Sequence, residues 1–463
     1  MMHDVKQGLE KASVTSKPQL SGWVAAAGLV ERWLERSERV DTLLEGLAPD
    51  LTGQERARAQ HLFYGVVRWA SRLEAALAGL MTREPRTKVK AVLMIAGFEL
   101  LEQGPSFAKA TDGRAGSKEQ REGGVAKVIH HAVERAKGVA SPKEAGLVNA
   151  VARKMAAKLT VTPADMATEL AHPEWLVARW TRQFGAETTR KLLEWNQQPA
   201  PVYARWRPSF AKASEGTVDA PVPEFLAPTK WASFYEVKAG KWDEVRRLAN
   251  EGALYLQDPS TRLCIELLAP QAGETILDAC AAPGGKSLFI ADTMKTGKVV
   301  ALDEPPAPGK ADIRLVRLKE NLARSPAGVD VALIQADLTA VNTVFYRNLN
   351  LPETYDAVLL DAPCSNTGVM RHRIDVKWRL QDGDFARHGQ QQLALLHAAA
   401  RLVRPGGRLV YSTCSIDADE NESVLKGFFD SRAGGPFKLE KQILANPWTA
   451  GHDGAGAFLL RKS

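Results

Sequence analysis

The chain has 463 residues, 45% of them hydrophobic, which suffices for a sizeable core in two or three domains and excludes an intrinsically disordered polypeptide. Lys and Arg number 61 against 54 Asp and Glu, a formal charge of +7 that favours a polyanionic partner without requiring one. Four cysteines (Cys264, Cys280, Cys364, Cys414), none in a C-x-x-C pair, offer neither a disulfide framework nor a zinc knuckle and fit a reduced, cytoplasmic compartment. Met1-Met2-His3-Asp4-Val5-Lys6 lacks the apolar core of a signal peptide, and no apolar run is long enough to span a membrane.

In chain order, residues 1–20 are polar and unpatterned, a disordered N-terminus by expectation. Residues 21–165 carry a helical period. Thr52-Gly53-Gln54-Glu55 is a capping box, and Leu62, Val66, Trp69, Leu73 and Leu77 then recur on one helix face. Similar stripes at Val92, Ile95 and Leu100, at Val125, Ile129 and Val133, and at Leu147, Val151 and Met155 complete a small all-helical domain. Its basic residues suit an RNA-facing surface and equally an ordinary solvated face. His130-His131, with no second ligand cluster near it, reads as a helix-surface pair.

Residues 166–260 are broken by Pro201, Pro208, Pro221, Pro223 and Pro228 and read as a linker and small α/β module. The nonapeptide 105–113 returns almost unchanged as 208–216. Two copies do not make a solenoid, and both read as surface-loop insertions without a catalytic role.

Residues 261–463 alternate strand and helix, as a doubly wound α/β fold requires. Expected strands are Thr275–Asp278, Lys298–Leu302, Val331–Ile334, Asp356–Leu360 and Arg408–Ser412. After the first comes Asp278-Ala279-Cys280-Ala281-Ala282-Pro283-Gly284-Gly285-Lys286-Ser287. A phosphate loop would need glycine where Cys280 stands, and the dinucleotide fingerprint lacks its first glycine. What remains is a strand, a small-residue turn and a helix start, which lets backbone approach a ligand closely. Asp303, ending the second strand, stands about where a ribose-binding carboxylate belongs, and Asp337, after the third, is within reach of an adenine amine. Cys364 and Cys414 each follow an apolar run at a strand end, where open parallel sheets bind ligands, so two thiols face one substrate. After the first thiol, Arg371, His372, Arg373, Lys377 and Arg379 form a basic run read as phosphate contacts, with Trp378 as packing.

Together, Cys280–Lys286, Asp361-Ala362-Pro363-Cys364-Ser365-Asn366-Thr367-Gly368, Asp375-Val376-Lys377-Trp378-Arg379 and Ser412-Thr413-Cys414-Ser415 with Glu420-Asn421-Glu422 resemble, in order, the motifs of the RNA (cytosine-C5)-methyltransferases, the Nol1/Nop2/Sun family. Tyr64–Trp69, Gly146–Val151 and His172–Leu176 resemble the bacterial ribosomal-RNA branch, the RsmB type. The resemblance implies a class I, Rossmann-like methyltransferase domain at 261–463 behind a NusB-like helical RNA-binding domain at 21–165. It implies S-adenosylmethionine as cofactor, its methionine portion held by Cys280, Ala281, Ala282, Pro283, Gly284, Gly285 and Lys286, its ribose by Asp303 and its adenine by Asp337, with Asp361 where cofactor meets base. The segment 304–313 is longer and richer in proline than the family's usual turn.

Carbon 5 of cytosine is a poor nucleophile until a thiolate adds at carbon 6, and the proton left on carbon 5 must be removed before that thiolate can leave. Spacing alone leaves open which cysteine attacks, since DNA cytosine methyltransferases use a Pro-Cys nucleophile. The resemblance to the RNA family implies Cys414 as nucleophile, Cys364 as the release residue, and Asp361 and Lys286 beside them, with Arg371, Arg373, Lys377 and Arg379 on the RNA. The expected substrate is ribosomal RNA, small-subunit by preference; the alternatives are transfer RNA, or a non-catalytic assembly factor. The expected protein is a monomer with RNA as partner, without membrane or metal.

Overall fold

The computed structural model describes residues 21–36, 38–104, 118–208, 221–238, 240–306, 309, 312–341 and 343–463. The expected disordered N-terminus, both nonapeptide copies apart from Pro208, and part of the segment 304–313 lie outside the described residues. The chain forms two compact units, Met1–Ala171 and His172–Ser463.

The described residues of the first unit are helical, with Gly22–Arg36, Gly53–Arg68, Ala70–Leu77, Thr87–Glu102, Lys118–Val139 and Pro142–Leu159 as the longer helices. Thr87–Glu102 is buried on every side from Ala91 to Phe98, the mark of a central helix, and the others pack on it. The stripe from Leu62 to Leu77 is buried throughout, yet it belongs to two helices, because the backbone leaves helical geometry at Trp69 (φ −105°, ψ 16°). A break that keeps both halves on one core leaves the apolar period intact, so periodicity does not reveal it. The capping box is half made. Thr52 accepts from the Glu55 amide at 3.2 Å, but the Glu55 carboxylate accepts from the Gly22 amide, at the start of another helix with its own unsatisfied donors. His130 and His131 both lie exposed on the helix Lys118–Val139.

The second unit has two sheets. The smaller is antiparallel, in the order β2-β3-β1-β4, from β1 (Tyr203–Trp206), β2 (Leu226–Pro228), β3 (Phe234–Val237) and β4 (Leu254–Leu256). Arg205 and Arg207 of this sheet's first strand and its exit are buried, and both bond Asp292 of the helix Gly285–Met294, at 2.5 and 2.7 Å. Breaking a buried pair of this kind costs about 3–5 kcal/mol, so the small sheet is firmly tied to the helix that follows the glycine turn.

The larger sheet has seven strands in the order β10-β11-β9-β8-β5-β6-β7. Its five parallel strands are β5 (Thr275–Asp278), β6 (Gly297–Asp303), β7 (Val329–Gln335), β8 (Tyr355–Asp361) and β9 (Val403–Thr413). Each contains an expected strand. The antiparallel β10 (Phe437–Ala445) and β11 (Ala455–Lys462) were not anticipated. β10 is an edge strand exposed along most of its length, so it offers no apolar run to read. From β5 the chain winds outward through β6 and β7, then returns to place β8 on the other side of β5. The order reverses between β5 and β8, and a crevice opens outside the carboxyl ends of strands at such a point. The glycine turn, Asp361 and Cys364 all emerge there.

Candidate active site

The residues at the end of β5 make a tight cradle. Gly284 takes φ +100°, a conformation L side chains rarely adopt, and hands the chain to the helix Gly285–Met294. A Cβ on Gly285 would lie 2.8 Å from the Tyr255 ring. Asn321 donates to the Pro283 carbonyl at 2.7 Å and fixes the turn from outside. Asp303, ending β6, accepts from the Ala282 amide at 2.8 Å, and burial raises its carboxyl. Asp278, ending β5, accepts from Ser287 at 2.6 Å; its other oxygen is buried without a hydrogen-bond partner, and burial pushes the carboxyl up to about 7. Sequence reasoning passed over Asp278, although an acid closing an apolar strand beside the turn was a signal.

Lys286 and Asp361 bridge this cradle to the thiols. Lys286 Nζ lies 2.5 Å from Asp361 Oδ2, and Ser412 donates to Oδ1 at 2.7 Å. Burial works against the ammonium, but Asp361 and the nearby thiols outweigh it, and the Lys286 pKa is raised. Lys286 is therefore a fixed cation at neutral pH.

β8 and β9 pair in parallel with Asp361 opposite Ser412. That register carries Cys364 and Cys414, each just past its strand, to a Sγ–Sγ distance of 3.1 Å. Cys364 is 8% exposed and Cys414 is only partly buried. The Cys364 thiol is pushed up, first by its hydrogen bond to Cys414 and then by burial. Asn366 (φ +64°) donates to the Cys364 carbonyl at 2.8 Å, and its Oδ1 lies 3.4 Å from Cys414 Sγ.

Not every expected residue joins them. Asp337 sits in an exposed turn at the end of β7, accepting from the Thr339 amide and hydroxyl at 2.8 and 2.7 Å. Among hydrogen bonds of the described residues, none joins it to the glycine turn. The basic run also divides. Lys377 is 2% exposed, with Nζ 5.0 Å from the Trp378 ring centroid, so it does not present a cation to a phosphate. Its place in the basic run marks it as a phosphate contact, but it lies on a buried helical turn. Arg371 donates twice to the Pro199 carbonyl, at 3.1 and 2.7 Å, and lies over Trp195; Arg379 pairs with Asp375 at 2.8 Å. Arg373 is exposed. His372 bonds Asp453 at 2.9 Å and the Pro201 carbonyl at 3.1 Å. With Asp258, His372 and Asp453 bring three potential ligand atoms within 4.8 Å of one another.

The site thus combines a backbone cradle lined by carboxylates, one of them with an unpartnered buried oxygen, a fixed Lys–Asp pair, and two thiols in contact. Carboxylates and close backbone suit a ligand with hydroxyl and cationic groups, and the thiol pair suits covalent chemistry on a planar electrophile.

A family model described as 16S rRNA methyltransferase RsmB/F matches residues 265–447. Over 420 residues the chain is 30% identical to ribosomal RNA small subunit methyltransferase B of Klebsiella pneumoniae subsp. pneumoniae, covering 87% of this chain and 88% of that protein. The crystal structure of PH0851 superposes with a TM-score of 0.71 at 20% identity, covering 96% of this chain and 100% of that one. A methyltransferase homolog protein from Pyrococcus horikoshii gives a TM-score of 0.50 at 23% identity, over 65% of this chain and all of that one.

Proposed function

The chain belongs to the RsmB/F family of 16S rRNA methyltransferases, and from that membership we propose that it methylates carbon 5 of a cytidine in small-subunit ribosomal RNA through a covalent bond from Cys414 to carbon 6. It is an S-adenosylmethionine-dependent enzyme acting on ribosomal RNA. The observation that carries the covalent reading is the 3.1 Å contact of two thiols beside the Lys286–Asp361 pair.

The glycine turn, Asp278 and Asp303 would hold S-adenosylmethionine, which supplies an electrophilic methyl group when bound. The target cytidine must leave its stack to enter the crevice. Cys414, the more exposed thiol, attacks carbon 6 as thiolate while Cys364 keeps its proton and donates it in a hydrogen bond. Asp361, held on both oxygens, meets the polar edge of the ring, and the Lys286 ammonium offsets the charge that develops there. When the Cys414 sulfur is committed to the C–S bond, the largest of the causes that raise the Cys364 pKa is removed, while burial still raises it. Cys364 then yields its proton to solvent and takes the one on carbon 5. The electron pair left behind forms the 5,6 double bond, the C–S bond breaks, and Cys414 departs as thiolate.

Asp303→Asn should weaken S-adenosylmethionine binding about 10- to 100-fold, the scale of a lost charge-assisted hydrogen bond. Calorimetry checks this, with kcat at saturating cofactor expected to stay within about twofold. For the substrate, bisulfite sequencing of ribosomal and transfer RNA from cells with and without the gene is expected to show one small-subunit cytidine losing protection. A cytidine lost from transfer RNA instead would contradict the assignment.

A further inference from the structure

Glu420 and Asn421 form part of a sequence motif with no role in the chemistry above, yet their side chains grip the two residues on either side of each thiol. Glu420 is 0% exposed. Its carboxylate accepts from the Ser365 amide at 2.8 Å, from the Ser365 hydroxyl, and from Gln392 Nε2 at 3.0 Å. The same Gln392 amide donates to the Pro363 carbonyl at 2.8 Å. Pro363 and Ser365 flank Cys364, so the carboxylate and its glutamine hold that loop from both sides.

Asn421 does the same for the other thiol. Its Oδ1 accepts from Thr413 Oγ1 at 2.8 Å, and its Nδ2 donates to the Ser415 carbonyl at 3.0 Å. Thr413 and Ser415 flank Cys414. A second bond from Nδ2, to the Asp417 carbonyl at 3.0 Å, closes the turn beyond it. Two adjacent residues thus each anchor one cysteine loop, and both are held in place by a common backbone whose Glu420 carbonyl accepts from Tyr411 at 2.6 Å.

We infer that Glu420 and Asn421 are positioning residues with separate duties, Glu420 setting Cys364 for release and Asn421 setting Cys414 for attack. The inference rests on the covalent reading of the two cysteines. A misplacement of about 1 Å is enough to cost about 10²-fold in rate, so loosening either loop shows in turnover. Glu420→Gln keeps the shape but removes the charge: its amide can face only the Ser365 hydroxyl, which must turn from donor to acceptor, and the charge-assisted bonds that hold the loop are lost. Asn421→Asp replaces a donor by an acceptor that faces two carbonyls.

The test is turnover together with denaturing-gel detection of the protein–RNA adduct, alongside Cys364→Ala. Glu420→Gln is expected to lose about 10²-fold in kcat and to accumulate adduct, as Cys364→Ala does; Asn421→Asp should lose a similar factor and accumulate none. KM for RNA and cofactor should stay within about twofold for both, since neither residue touches substrate. Equal adduct levels in the two variants, the opposite pattern, or wild-type turnover in either would overturn the inference. Should Glu420→Gln not fold, Gln392→Ala cuts only the tie to Pro363 and the glutamine bond, and is expected to show a weaker form of the same accumulation. Likewise Thr413→Val removes one bond of Asn421 and should slow turnover without adduct. Absence of adduct in Cys364→Ala itself would refute the covalent reading rather than the division of labour.

Discussion

Cys364→Ala should stall after methyl transfer and accumulate a covalent protein–RNA species that survives denaturation, whereas Cys414→Ala should form none. The asymmetry is that of the proposed roles, which the geometry supports. Cys414 is the partly exposed thiol, and Cys364 the buried one whose proton is held in place by its neighbour. Without Cys414 the covalent path is closed, and kcat is expected to fall about 10⁴-fold or more, the scale on which a lost nucleophile acts. Without Cys364 the bond to carbon 6 still forms, but the carbon 5 proton has no acceptor, and the loss should be about 10²–10⁴-fold. Single-turnover assays with labelled cofactor separate the two cases, since methyl should still reach RNA once per enzyme in Cys364→Ala. Adduct in Cys414→Ala and not in Cys364→Ala would exchange the roles.

Asp361→Asn should cost about 10²–10³-fold in kcat, the range found when a preorganised group opposite developing charge is removed. Asp361 holds two groups at once: the Lys286 ammonium at 2.5 Å and the Ser412 hydroxyl at 2.7 Å. The substitution also changes the pH profile. Burial works against the charge on Lys286, and Asp361 is the foremost of the groups that outweigh it. With the carboxylate gone, the Lys286 pKa falls, so the ammonium is lost as pH rises through the lowered value. The variant should therefore show a decline on the alkaline side that the parent lacks, measured as kcat against pH at saturating substrates. An unchanged profile would mean that Lys286 takes no part.

Much of this site was readable in the chain because its parts are local. The turn from Cys280 to Lys286 lies between one strand and one helix, and it needs small residues because Gly284 takes a positive φ and the Tyr255 ring lies against Gly285. The strands around it announced themselves as short apolar runs ending in Asp278, Asp303 and Asp361. What could not be read is what depends on pairing. The strand ends place Cys364 and Cys414 at one site, but that their sulfurs touch follows from the register of Asp361 with Ser412, and nothing along the chain encodes a register between strands separated by a long helix. Glu420 and Asn421 were visible as a motif, but their hold on both cysteine loops needs the loops already in place. Lys377 shows the converse: a cation in a basic run reads as a phosphate contact, and the short helical turn that carries it turns it inward. The same limit applies to the helical unit, where Trp69 ends one helix and begins another without disturbing the apolar period.

The proposed mechanism requires that Cys414 bond carbon 6 of the target cytosine. RNA carrying 5-fluorocytidine at the target position tests it in the unaltered enzyme, because fluorine at carbon 5 leaves no proton to remove and the adduct cannot resolve. After proteolysis and nuclease digestion, mass spectrometry should find the modified nucleotide on the peptide that contains Cys414. Finding it on the peptide that contains Cys364, or on neither, would contradict the account.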